Sequence, residues 1–182
     1  LLFSSIRLMD IFKNKKEFVF YKEAFFLIFM IYVLCLFQVV TFEDPAVGDH
    51  QNNLTLFHEI LRYRFGSRLF IKNVIGNFVL FVPYGIFTSI YAKLSSKWQA
   101  LFLVAFASLT VETTQLAIGR VFDVDDILLN ICGGMFGYFI YYIVGKIGNH
   151  CPKWMRSKSA LNILTSLILL GMIFYVWRVI HV

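Results

Sequence analysis

The stretch NVIGNFVLFVPYGIFTSIY, residues 73–91, decides the fold, because it is long, mostly apolar and free of charged residues. About 20 such residues in a helix cross a hydrocarbon core roughly 30 Å thick. Similar runs recur at about 24–41, 98–118, 127–145 and 160–180. Hydrophobic residues make up 59% of the chain, charged residues only 15%, and the mean hydropathy is +0.71. The composition therefore predicts that a bilayer is the solvent of this chain.

The predicted fold class is all-α: a polytopic membrane helix bundle of about five transmembrane helices, forming a single membrane domain over residues 1–182. An external interfacial segment, residues 42–72, joins the first helix to the second. Its apolar residues recur at helical spacing: Leu54, Phe57, Ile60, Leu61 and Phe65. This spacing predicts a helix in the interface, which either packs on the bundle as an amphipathic lid or also grips lipid phosphate.

The basic residues predict the orientation of the bundle, because cytoplasmic loops of membrane proteins carry an excess of lysine and arginine. With five crossings, eleven of the 17 basic residues fall on the side of the amino terminus and six on the other side. The sequence therefore predicts a multi-pass protein of the cell membrane with a cytoplasmic amino terminus and an external carboxyl terminus. Anionic lipid explains the formal net charge of +6, and no nucleic-acid-binding module is recognised.

Ionisable and amide residues are placed near the predicted external end of the third helix. Glu112 and Gln115 are three residues apart and therefore share a face of that helix. A carboxylate at this depth costs roughly 2.5–3.5 kcal/mol on insertion scales, so Glu112 is expected to face the bundle interior or a wet cavity. The candidate counter-charges are Arg120, Arg68 and Arg62.

Two other helices supply polar and small residues at the same end. Asn73 and Asn77 share a face near the start of the second helix. Pro83 is predicted to interrupt this helix with a kink near mid-membrane, where neighbours must satisfy the freed carbonyl. One face of the fourth helix carries Asp126, Asn130, Gly133 or Gly134, and Gly137. Small residues there permit close contact between helices. The predicted topology brings the polar groups of these helices to one depth on one side of the membrane.

Several of these residues also have a purely structural interpretation. Asp123 or Asp125 would cap a helix N-terminus, where a carboxylate accepts hydrogen bonds from free amide groups. Asn77 and Gln115 would join neighbouring helices by hydrogen bonds. The predicted convergence of residues from three helices and one join favours a functional site over separate structural roles.

The order of these residues resembles the VanZ-like family of membrane proteins, over a core of about residues 53–143. The motifs are Asn-x-x-x-Asn-x-x-x-Phe-x-Pro-x-Gly at 73–85, Glu-x-x-Gln at 112–115 and Gly-Arg-x-Phe-Asp-x-x-Asp at 119–126. Leu56 stands where the family usually has a proline. The resemblance implies a cell-envelope role of the Gram-positive type, associated with lowered susceptibility to teicoplanin, a lipoglycopeptide that acts outside the membrane. It implies no reaction chemistry.

The first functional hypothesis is a protein at the outer leaflet that binds or remodels a membrane lipid, a lipid-linked cell-wall precursor bearing phosphate, or a lipoglycopeptide. Its polar groups include no recognisable nucleophile, so binding is the simplest role for them. The predicted ligand-binding residues are Asn73, Asn77, Gln115, Arg120, Asn130, Arg62 and Arg68.

The alternative is a metal-dependent membrane enzyme that acts on an isoprenoid or phospholipid phosphate. Its predicted catalytic residues are Glu112, Asp123 and Asp126. In this hypothesis Glu112 is a general base and the two aspartates hold a divalent cation through oxygen ligands. A third hypothesis is a transporter or scaffold that uses Glu112 as a proton or ion site. The sequence leaves open whether the protein is an enzyme and whether it uses a metal or another cofactor.

Overall fold

The structure is a computed structural model that describes residues 13, 19–42, 52–150, 157–167 and 170. Helices α1 to α5 span Phe20–Phe42, His58–Arg62, Arg68–Tyr91, Lys97–Ala117 and Val124–His150, and residues 158–167 form α6. Among the described residues the only β-type pairing is one isolated parallel bridge. The predicted all-α class is therefore confirmed.

Four of the described helices, α1, α3, α4 and α5, are long and apolar enough to cross a membrane. The prediction of a multi-pass membrane protein is confirmed in class, although the number found is one fewer than the five predicted. Of the fifth predicted span, 160–180, the structure describes residues 160–167, which belong to α6, and residue 170. The other residues of this span lie outside the described part of the chain. The orientation across the membrane stays a prediction.

The chain divides into two compact units. The first contains the beginning of α1 and α6, where the Tyr21 N–H donates to Asn162 Oδ1 at 3.0 Å and the side chains of Ala24 and Thr165 are buried. The second is Tyr32–Lys146 and contains the residues of the predicted site that are discussed below. The prediction of one membrane domain over the whole chain stays a prediction.

Glycines of α5 bring this helix into backbone contact with α3. A Cβ added to Gly133 would collide with the carbonyl oxygen of Phe78, and one added to Gly137 would collide with that of Val82. The two helices run in the same direction, because the contacts advance together along both chains. The predicted close approach is confirmed, and we call this contact the glycine seam. The side chain of Val104 in α4, buried with 1% exposure, packs on the same helix opposite Gly134.

Pro83 lies inside α3, and the helix continues through it to Tyr91. The predicted interruption is therefore wrong, whereas the kink at this proline stays a prediction. Proline leaves the carbonyl of Val79 without its helical donor. The hydroxyl of Tyr32 in α1 donates to the next carbonyl, that of Leu80, at 2.9 Å. A neighbouring helix thus supports the α3 backbone beside the proline, which is how membrane helices tolerate this residue.

The described part of the segment between α1 and α3, residues 52–67, is called the strap. Its only helix is α2, so the predicted longer helix is wrong. Left-handed backbone at Phe57 (φ 65°) precedes α2, and extended backbone at Tyr63 (φ −85°, ψ 131°) ends it, before a second left-handed residue at Gly66 (φ 76°). Leu61 and Phe65 are 80% and 87% exposed, so the strap does not pack on the bundle by these apolar side chains. Residues 43–51 of the predicted external segment lie outside the described residues.

Candidate functional site

The predicted site lies at the end of the second unit where α3 and α5 begin and α4 ends, which we call the polar end. The join between α4 and α5, residues 118–123, turns at Gly119, whose φ of 85° is accessible to glycine at little cost. The turn brings Arg120 back over the last residues of α4, where its N–H donates to the carbonyl of Gln115 at 2.9 Å.

Glu112 is buried at the centre of the polar end, with 1% of its surface exposed. Its Oε2 accepts a hydrogen bond from the Asp123 N–H at 3.2 Å. With the Gln115 amide oriented to satisfy its neighbours, its nitrogen donates to Glu112 Oε1 at 2.8 Å and its oxygen accepts from Arg120 Nη1 at 2.9 Å. The prediction that Glu112 faces the interior is confirmed. Of the three candidate counter-charges, Arg120 is the one that this chain of hydrogen bonds connects to Glu112.

Asp123 caps the N-terminus of α5, because its Oδ1 accepts from the Asp125 N–H at 2.8 Å. The same oxygen accepts from Asn53 Nδ2 at 2.9 Å. The backbone of Asn53 pairs with the join, donating to the Phe122 carbonyl at 2.9 Å and accepting from the Val124 N–H at 3.1 Å. The capping interpretation is therefore correct for Asp123, and this capping carboxylate also fastens the strap to the polar end.

Asp125 is buried to the same degree as Glu112, at 1% exposure. Its Oδ1 accepts from the Phe57 N–H at 2.5 Å and its Oδ2 from the Ile60 N–H at 3.3 Å. These amide groups lie at the N-terminus of α2. The N-cap residue of this helix is Phe57, and its side chain makes no capping hydrogen bond. Asp125 therefore caps a helix of the strap and not the helix to which it belongs.

Asn77 in α3 donates through Nδ2 to Asp126 Oδ1 in α5, which confirms the predicted role of this amide as a link between helices. Asp126 also lies within electrostatic range of Glu112, Asp123 and Arg120. Three carboxylates and one guanidinium from α4, α5 and their join therefore share the polar end. We call these groups, with Asn77 and Gln115, the polar network.

A second pair of polar side chains lies one helical turn further from the polar end. Asn130 Nδ2 donates to Ser108 Oγ at 3.2 Å, and the Ser108 hydroxyl donates to the Ile127 carbonyl at 3.5 Å. Asn130 is 3% exposed, and its Oδ1 has no hydrogen-bond partner within the part of the chain that the structure describes. Ser108 was not among the predicted site residues, although its position four residues before Glu112 places it on the same helical face.

Three other predicted ligand-binding residues lie at the end of α2 and at the start of α3. Asn73 occupies a π-helical turn, Ile71–Ile75, at the start of α3, and no hydrogen bond joins its side chain to the network among the described residues. Arg62 at the end of α2 and Arg68 at the start of α3 are both exposed. The functional roles of all the predicted site residues stay predictions.

The residues that the structure describes contain no group of three or more His, Cys, Asp or Glu side chains placed to hold a metal ion. The carboxylates of Glu112, Asp123 and Asp126 each accept a hydrogen bond from a donor of the chain itself. The arrangement fixes these carboxylates in place and holds the strap, the join and three helices together.

Apolar helices long enough to cross a membrane, with a buried polar network at one end, define a multi-pass membrane protein with a polar site. The chain belongs to the VanZ/LLP1 family, because the family model matches residues 24–145, about two-thirds of its length. The resemblance seen in the motifs is therefore confirmed, and the match covers the strap and the whole polar end. No significant match was found among curated proteins or among solved structures.

Proposed function

We propose that the polar end binds the anionic headgroup of a lipid-linked phosphate, or a lipoglycopeptide, at the outer face of the cell membrane, and that Arg120 contacts the ligand. The observation that carries this proposal is the support of Arg120 by Gln115, through one backbone and one side-chain hydrogen bond. A guanidinium held in place loses less freedom on binding, and its planar fork suits a phosphate group.

The strap and the start of α3 have the two characters, basic and apolar, that an amphiphilic ligand requires. The strap and the start of α3 carry four exposed basic residues: Arg62, Arg64, Arg68 and Lys72. Exposed apolar side chains alternate with them, among them Leu61, Phe65 and Leu69. Basic residues attract anionic headgroups and apolar side chains bind acyl or isoprenoid chains, so this segment fits a ligand that has both.

Membership of the VanZ/LLP1 family suggests a link with teicoplanin. In the proposed function the protein holds either the drug or the lipid-linked target of the drug, and less drug reaches its site of action. Cells that express the Arg120→Ala or Glu112→Gln variants are then expected to bind a different amount of teicoplanin from cells that express wild type. Equal drug binding at matched membrane levels of the three proteins would contradict this part of the proposal.

The direct experiment measures binding of a polyisoprenyl phosphate, and separately of teicoplanin, to the full chain in nanodiscs of neutral lipid. Arg120→Gln is expected to raise the Kd by roughly ten- to a hundredfold, because it removes a charge-assisted hydrogen-bonding group worth about 1.5–3 kcal/mol. The matched control is Lys97→Gln, which removes one positive charge at the start of α4, the other end of that helix. An unchanged Kd for both probes with Arg120→Gln would overturn the proposal.

A metal-dependent enzyme acting on an isoprenoid or phospholipid phosphate is the second candidate. The observation in its favour is the closeness of Asp126 to Glu112 and Asp123. Against it, the described residues form no metal-holding group and each of these carboxylates already has a donor. Release of phosphate by the purified protein in the presence of Mg²⁺, lost in Asp126→Asn, would favour this candidate over binding.

A further inference from the structure

Most apolar side chains of the strap are exposed on the protein and do not pack against it. Leu54, Leu56 and Leu61 are 72%, 53% and 80% exposed. Leucine side chains normally stabilise a segment when folding buries them away from water. The five residues of α2 are also far too few for a helix that is stable by itself. The contacts that fasten the strap to the rest of the described chain are therefore mainly polar.

The most deeply buried of these contacts is the carboxylate of Asp125. Each of its oxygens accepts a hydrogen bond from a strap amide, one at Phe57 and one at Ile60. Phe57 has a φ of 65°, a conformation that bulky residues rarely adopt and that persists only where the surroundings impose it. Its N–H is one of the two that Asp125 binds, so the carboxylate holds the backbone in its strained conformation.

The strap is in turn bonded to the join that carries Arg120. Asn52 Oδ1 accepts from the Phe122 N–H at 2.9 Å, and the Asn53 N–H donates to the Phe122 carbonyl at 2.9 Å. Phe122 is two residues after Arg120 in a join of six residues, so a shift of the strap also moves the turn that presents the guanidinium.

We infer that Asp125 is a positioning residue for the proposed binding site: it fastens the strap, and through the strap it sets the place of Arg120 and of the exposed basic and apolar side chains. The inference rests on the proposed function, because it takes Arg120 as the group that contacts the ligand. Asp125 itself is 1% exposed and does not contact the ligand.

The test uses trypsin sites that the exposed strap already contains, Arg62 and Arg64, in the full chain reconstituted in nanodiscs. Asp125→Ala is expected to increase the rate of cleavage at these sites by roughly tenfold or more, because the strap opens more often once its buried acceptor is gone. Cleavage after Lys97, at the other end of α4, serves as the internal control and is expected to stay at the wild-type rate. The Kd for the polyisoprenyl phosphate is expected to rise by a similar factor.

A rescue variant separates positioning from general loss of structure. Asn adopts left-handed backbone more readily than Phe, so Phe57→Asn added to Asp125→Ala is expected to restore part of the protection and part of the affinity. Asp125→Asn keeps one acceptor oxygen and is expected to show a smaller change in the same direction, with the helical circular dichroism of wild type. It provides the test if Asp125→Ala does not fold.

The results distinguish the inference from the proposed function. Wild-type cleavage rates at Arg62 and Arg64 in Asp125→Ala and Asp125→Asn would overturn the inference. The inference would also be overturned if the Asp125 variants were cleaved faster but kept the wild-type Kd, while Arg120→Gln raised the Kd. An unchanged Kd in both the Asp125 and the Arg120 variants would overturn the proposed function and, with it, the positioning role.

Discussion

The glycine seam and the strap are held in place by opposite means. In the seam, Gly133 and Gly137 leave only enough room for the backbone of α3, so the two helices are held there by close packing. The strap exposes its apolar side chains and is fastened by hydrogen bonds to Asp123 and Asp125. A framework held by packing tolerates changes of charge, whereas a segment held by buried carboxylates does not. Binding segments are drawn from such less stable regions, which fits the proposed role of the strap.

The largest expected effect breaks the seam. A Cβ at Gly133 meets a backbone carbonyl, that of Phe78, which cannot move unless the helices separate. Gly133→Ala is therefore expected to cost about 3 kcal/mol, the upper part of the range for overpacking, measured as a lowered midpoint of thermal unfolding in detergent. The control is Gly145→Ala in the same helix, where a Cβ has nothing within 4 Å. Equal midpoints for the two variants would contradict the proposed packing.

The next effect concerns the centre of the polar network. Glu112→Leu removes the acceptor of the Gln115 amide and of the Asp123 N–H; because both residues are only half-buried, the two unpaired donors together are expected to cost about 2 kcal/mol. Thermal unfolding is expected to show a clear loss of stability, smaller in the isosteric Glu112→Gln. Thr113→Leu, on the exposed face of the same helix, is the control and should change little. A Glu112→Leu protein as stable as Thr113→Leu would show that the network contributes nothing to folding.

A smaller effect compares two asparagines one turn apart in α3. Asn77 donates to Asp126, whereas Asn73 is not joined to the network by a hydrogen bond among the described residues. Asn77→Ala is expected to cost about 1 kcal/mol of unfolding free energy and Asn73→Ala less than half of that, measured by denaturant or thermal unfolding. A larger cost at Asn73 than at Asn77 would contradict the assignment of the interhelical link.

The smallest effect concerns Ser108 and Asn130. Ser108→Ala leaves the buried Asn130 amide without its acceptor and is expected to cost up to about 1 kcal/mol. The double variant Ser108→Ala/Asn130→Leu removes both partners and the unpaired Asn130 Oδ1, so its stability is expected to return to nearly that of wild type. Additive losses in the double variant would show that the pair is not coupled.

Helical periodicity was sufficient to predict much of the polar end. The spacing of three between Glu112 and Gln115 predicted one shared face, and the need to compensate a buried carboxylate pointed to three arginines, of which Arg120 is the one that Gln115 connects to Glu112. The small residues of α5 likewise predicted the close contact that the structure shows at Gly133 and Gly137. These predictions succeed because they use residues close together in sequence or a requirement of the bilayer itself.

The strap could not be predicted in the same way. The contact of Asp125 with Phe57 joins residues 68 positions apart, and no local spacing indicates which helix a carboxylate will cap. The apolar spacing of the strap resembles that of a helix, but left-handed backbone at Phe57 and extended backbone at Tyr63 limit α2 to five residues. Pro83 was a misleading signal, because a helix within a bilayer keeps its remaining backbone hydrogen bonds when a neighbour supports it.

The proposed function requires the polar end to face the outside of the cell. The most direct measurement is thiol labelling of Ile118→Cys, an exposed position two residues before Arg120, in a chain whose Cys35, Cys132 and Cys151 are replaced by serine. A membrane-impermeant maleimide added to intact cells is expected to label this cysteine. Labelling only after the membrane is opened, with none in intact cells, would place the polar end in the cytoplasm and contradict the proposed function.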